Sequence, residues 1–158
     1  MSSKSVSAGW LTCLMIRPTD RLYLLAHEWA MATATPLRIQ VTVGRAVTGE
    51  ASVCVAEPGP LVATKLQALP NRGRAKEATD LLDIIRLTLD PLAGGADVRA
   101  QFSAADRQLR SDAGLHVRRW FMDRADRSLR LVHSIPESGS IDIDQLALVG
   151  ELLMASMA

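Results

Sequence analysis

At 158 residues and 17.1 kDa the chain has material for one ordinary core and too little for two. Hydrophobic residues at 48% against charged residues at 22% exclude a chain disordered by composition. Eighteen cations against 17 acids leave a net charge of +1, so global charge makes no case for nucleic acid.

Residues 1–8 are polar and Ser-rich and read as a loose tail. Residues 10–16, Trp-Leu-Thr-Cys-Leu-Met-Ile, form a short apolar run closed by Arg17-Pro18, the pattern of a buried strand. The run is far below the roughly 18–20 residues of a membrane span. No small-residue cleavage site follows it, which points to a cytoplasmic protein. Thr19 or Asp20 then caps a helix through about Met31, with Leu22, Leu25, Ala26 and Trp29 on one face. From Leu37 to Val43 apolar residues alternate with Arg38, Gln40 and Thr42, a period of two that predicts a half-exposed strand. Residues 44–49 read as a turn and 51–56 as a second strand, antiparallel to the first. Cys13 and Cys54 both lie in apolar runs and are expected to be small buried hydrophobes. With no C-x-x-C and three scattered histidines, no metal-ligand spacing is present.

After Pro58-Gly59-Pro60 the period turns helical. A helix over 61–69 ends at Pro70-Asn71-Arg72-Gly73; a second, over 75–89, carries Leu81, Leu82, Ile84, Ile85 and Leu89 on a broad apolar face. Gly94-Gly95 separates these from helices predicted over 97–109, 112–132 and 142–157. Strands with one helix, then helices only, predict an α+β domain: a small mixed or antiparallel sheet over 1–57, backed by a helical region over 58–158. Between Arg99 and Arg130 stand eight arginines and four aspartates; from Leu131 onward there are four acids and no lysine or arginine. Such a basic helical face suits an RNA backbone through Arg118, Arg119, Arg124 and Arg127. It suits equally a solvated helix whose arginines pair with neighbouring aspartates.

The segment Leu61-Val-Ala-Thr-Lys65-Leu-Gln-Ala-Leu-Pro70-Asn-Arg72-Gly-Arg74-Ala-Lys76-Glu77-Ala-Thr-Asp80-Leu-Leu-Asp83 concentrates the chemistry. Lys65 follows a strand and a Pro-Gly-Pro turn among Leu61, Val62 and Leu66, so its amine emerges at the edge of an apolar patch. Arg72, Arg74 and Lys76 follow in one loop, and Asp80 and Asp83 stand at i and i+3 on the next helix. Cations are thereby placed where a polyphosphate could lie, with a carboxylate to orient the lysine. A plain Lys65–Asp80 salt bridge in a helix–turn–helix pair fits the same spacing. No Walker-type loop, dinucleotide fingerprint, H-E-x-x-H or G-x-S-x-G competes with it.

This stretch resembles the middle region of the AbiEii-type nucleotidyltransferases, toxins of bacterial toxin–antitoxin systems that include the mycobacterial MenT proteins. The family pattern, L-x-x-x-K-L-x-A-L, a basic loop, then K-[DE]-x-x-D-[LI]-x-D, is matched by 61–69, Arg72 to Arg74, and 76–83. The resemblance covers about thirty residues, and the element order between Pro18 and Asp90 also suits it. It implies that Lys65 contacts the triphosphate of a bound nucleotide, with Asp80 its paired carboxylate and Arg72, Arg74 and Lys76 beside the phosphates. It implies transfer of a nucleoside monophosphate from a nucleoside triphosphate to the 3′ end of tRNA, with Mg²⁺ neutralising charge and a cognate antitoxin as partner. The family's opening motif, G-S followed by D-x-D, supplies the metal ligands and has no counterpart here: residues 1–19 contain no Asp or Glu. No metal ligand is identifiable. The expectation is either a chain that starts downstream of that motif or a nucleotide- or antitoxin-binding module without turnover.

Overall fold

The computed structural model describes residues 17–158. The tail at 1–8, the strand expected at 10–16 and Cys13 lie outside them. A first helix, α1 (Pro18–Thr33), starts with proline at its first position, where the missing N–H costs nothing. A hairpin follows, β1 (Thr35–Val43) and β2 (Ala46–Val55). Then come α2 (Pro58–Ala68), a 3₁₀ turn (Leu69–Asn71) and α3 (Arg74–Leu89). The chain continues through α4 (Gly95–Ala104), α5 (Arg107–Val117), a π-helical turn (Arg118–Asp123) and α6 (Ala125–Val132), and ends in α7 (Ile143–Met157). The described residues are thus α+β, mostly helical with a two-stranded antiparallel sheet.

The core belongs to the helices. Leu22 and Ala26 of α1, Val62 and Leu66 of α2, Leu81 and Ile84 of α3, Val98 and Phe102 of α4, and Leu146, Val149 and Leu153 of α7 are fully buried in one cluster. Each large side chain there contributes on the order of 1.5–3 kcal/mol relative to leaving it in water. The apolar faces read from α1 and α3 are the buried faces. A capping box, Asp142 with Gln145, starts α7.

The strands correct three expectations. Among the described residues no helix backs the sheet: every residue of β1 and β2 is exposed, and Leu37, Ile39, Val41 and Val53 stand on one open face. Cys54, expected to be buried, is therefore exposed on β2. The turn is only Gly44-Arg45, because Gly44 at φ +63° supplies the left-handed first residue of a two-residue hairpin. Gly49 reads as a breaker in sequence, yet it sits within β2, beside a bulge opposite Val41/Thr42 where Thr48 donates to the Val41 carbonyl.

Two helix boundaries also move. Helix α2 begins at Pro58 because both prolines fit its first turn. The break expected near Arg110 lies instead at Ala105-Asp106, where the Asp106 carboxylate caps α5 by accepting from the Gln108 and Leu109 N–H groups. That shift carries Asp112 onto the buried side of α5. Its carboxylate receives two 2.6 Å bonds from the buried Arg21 of α1. Gly94, at φ +117°, makes the left-handed entry to α4 that a side chain would strain. Among the described residues no helix is long and apolar enough to cross a membrane.

Candidate functional site

Lys65 lies near the C-terminal end of α2, and Asp80 and Asp83 lie on α3, which packs against it. The Lys65 ammonium donates to Asp80 Oδ1 at 3.1 Å and to Asp83 Oδ2 at 2.7 Å. Its side chain is 25% exposed, Asp80's 9% and Asp83's 35%. Partial burial costs the ammonium hydration, but the hydrogen bonds to Asp83 and Asp80 outweigh that loss and hold its pKa above the ordinary lysine value. Lys65 is charged at every physiological pH.

The second oxygen of Asp80 faces Arg72 of the connecting loop. Arg72 Nε approaches it to 3.3 Å, close enough for an ion pair but too poorly aligned for a hydrogen bond, so this buried oxygen keeps an open acceptor position. Asp80 thereby holds Lys65 on one side and Arg72 on the other. The cause is local: Pro70 ends α2 in a 3₁₀ turn, Gly73 caps α3 with backbone only, and the loop is short enough to fold Arg72 back over the first turns of α3.

An open cavity of about 400 Å³ adjoins this network, lined by Gln67, Ala68, Asn71, Arg72, Gly73 and Lys76. No side chain caps the first turn of α3, so its backbone N–H groups face this end of the molecule with the positive end of the helix dipole. Of the expected phosphate-binding residues, the structure places Arg72 and Lys76 in the cavity wall. Arg74 is exposed at the start of α3 and is not part of that wall, and Lys65 reaches Asp80 and Asp83 behind it.

The arginines expected to meet RNA divide. Arg119, Arg124 and Arg127 surround Trp120, their guanidinium carbons 5.5, 5.7 and 5.1 Å from the indole centroid. Arg118 turns elsewhere, into a shallow depression with Arg110, Leu115 and Met154. The alternative of pairing with neighbouring aspartates does not hold: among the described residues only Arg127 of the four makes an ion pair, and it reaches the buried Glu77 of α3. That hydrogen bond raises the Arg127 pKa further. Sequence reasoning set Asp83 beside Asp80 without naming it a site residue, and gave no role to Glu77 or Trp120. Part of the signal for the last was present, since Arg124 and Arg127 stand four and seven after it, on one helix face.

Mg²⁺ was implied by the family resemblance, and the donor set does not fit it. The two carboxylates of the site already hold Lys65 and Arg72, and among the described residues no group of three Asp, Glu, His or Cys side chains converges. No family model, no curated protein and no solved structure matches the chain.

Proposed function

We propose that this chain acts in nucleotidyl transfer as a cytoplasmic toxin of a toxin–antitoxin pair, binding a nucleoside triphosphate and directing its nucleotide to the 3′ end of tRNA, under restraint by a cognate antitoxin. One observation carries the reading. Lys65 and Asp80, fifteen residues apart and on different helices, meet at 3.1 Å beside a cavity walled by Arg72 and Lys76. The neighbouring N–H groups of α3 add a fixed positive field where a phosphate would rest. In this reading Asp80 is the positioning carboxylate: it keeps Lys65 and Arg72 side by side until phosphate oxygens replace its own as their partner. Phosphoryl chemistry needs little covalent help beyond such positioned charge and an acceptor hydroxyl in line.

A second reading has its own support. Because both site carboxylates are engaged by cations, the chain can hold nucleotide without turnover, as a nucleotide- or antitoxin-binding module. Calorimetry with each nucleoside triphosphate, followed by transfer of labelled nucleotide to tRNA, separates the two. Transfer at enzymatic rates supports the first reading; binding abolished by Lys65→Ala or Arg72→Ala without transfer supports the second. Absence of nucleotide binding in a folded protein would overturn the first reading and the nucleotide-binding form of the second, and leave Lys65 as a brace between α2 and α3.

A further inference from the structure

We propose that Arg119 and Arg124, seated on Trp120 and braced by Arg127, form a clamp for the phosphodiester backbone of RNA. The choice of RNA rests on the tRNA acceptor proposed above. The physical case begins with charge left uncompensated. Asp123 and Asp126 are close in sequence, yet neither pairs with Arg119 or Arg124 among the described residues. Both guanidiniums keep their charge without an acidic partner among those residues, and the indole attracts each through a cation–π contact. Contact with the indole holds each guanidinium near the ring, and its N–H groups, unclaimed by any acid there, are left to bind phosphate oxygens.

The backbone is adapted to this arrangement. Residues 118–123 form a π-helical turn that carries Arg119 and Trp120 and ends at Arg124, whose backbone leaves the helical conformation. Such turns are uncommon and concentrate at functional sites. Trp120 itself is 2% exposed and its Nε1 has no partner, so the ring serves the arginines and offers no face to a base. Backbone contact without base stacking makes the clamp indifferent to sequence.

Position links the clamp to the nucleotide cavity. Arg127 makes two bonds, 2.6 and 2.9 Å, to Glu77, the residue after Lys76 of the cavity wall. The clamp's brace is thereby anchored one residue from the cavity wall, and a strand whose 3′ end reached the cavity would pass the clamp.

The test is fluorescence anisotropy with labelled tRNA and with a 12-nucleotide single-stranded RNA, between 50 and 200 mM salt. Arg119→Gln/Arg124→Gln should weaken binding at least about tenfold at the lower salt. It should also flatten the slope of log K against log salt by about 1.4–1.8, two phosphate contacts' worth. Arg127 is left in place because removing it strands the buried Glu77; unchanged thermal melting of the double variant controls for folding. Equal isotherms for variant and parent, or no RNA binding by the parent, would overturn the clamp. So would a polyglutamate peptide binding as tightly as RNA, which would assign the arginines to an acidic protein. Nucleotide binding by the parent protein is measured separately, so that its absence alongside intact RNA binding sinks only the nucleotide reading.

Discussion

Lys65 sits between a nearly buried Asp80 and a more exposed Asp83, and the difference decides what its removal does. Read from sequence it is a rim lysine, and surface pairs are worth about 0–1 kcal/mol. In the structure its loss leaves Asp80 with only a misaligned Arg72, so Lys65→Ala should cost about 1–3 kcal/mol in urea unfolding, the range for a stranded buried acceptor. A double-mutant cycle with Asp80→Ala should give a coupling above about 0.5 kcal/mol; additivity would mean the carboxylate hydrates freely. His116 offers a second residue-scale check. Burial foremost, then the charge of Arg119, depress its pKa below the ordinary histidine value, against a smaller opposing pull from Asp112. Folding therefore keeps His116 neutral while the unfolded chain takes up a proton below about pH 6.5. Its contribution is present above that pH and is lost as pH falls through the depressed folded value. Unfolding free energies measured from pH 7.5 to 5 should decline, and His116→Gln should remove part of that decline; parallel curves would refute the assignment.

The helices joined by Arg21 and Asp112 show where sequence reading succeeds and where it stops. Periodicity placed the buried faces of α1 and α3 because those residues are apolar, and apolar spacing is a local property. The Lys65–Asp80 contact was legible through motif spacing across one short turn. The Arg21–Asp112 pair was not: its partners are 91 residues apart, and charged residues on a helix default to solvent in any local reading. Arg127–Glu77, 50 apart, escaped for the same reason. Asp112 was mistaken for a helix start because Arg-Ser-Asp is also a capping sequence, and only Asp106 supplies the actual cap. Breaking a buried, bidentate pair leaves a charge without a partner, so Arg21→Met should cost about 3–5 kcal/mol, discounted for the further bond from Gln108 Nε2 to Asp112. Adding Asp112→Leu should recover much of the loss, since apolar replacement of both partners is often neutral. No recovery would show that the pair also fixes how α1 meets α5.

At the scale of the whole molecule, stability is divided unequally between the helical core and the hairpin. All fully buried large side chains among the described residues come from the helical part, where α7 packs against α3, α4 and α5. Among the described residues the hairpin makes no substantial contact with any helix, and its apolar face stays open, with Val41 56% exposed. A two-stranded ribbon without a packed face is marginal in water. Its hydrogen bonds should therefore open locally, by a route that leaves the core intact. Hydrogen exchange read by mass spectrometry should show peptides of β1 and β2 exchanging early and independently of low urea. Peptides covering Leu81–Ile85 and Leu146–Leu153 should exchange only with global unfolding and follow its free energy. Ile39→Thr/Val53→Thr should shift the melting temperature by no more than about 2 °C, because substitutions outside a packed core stay within about 0.5 kcal/mol. Hairpin amides as protected as those of α7, or a drop in melting beyond about 5 °C, would show that the open face is covered in solution and shares the fate of the core.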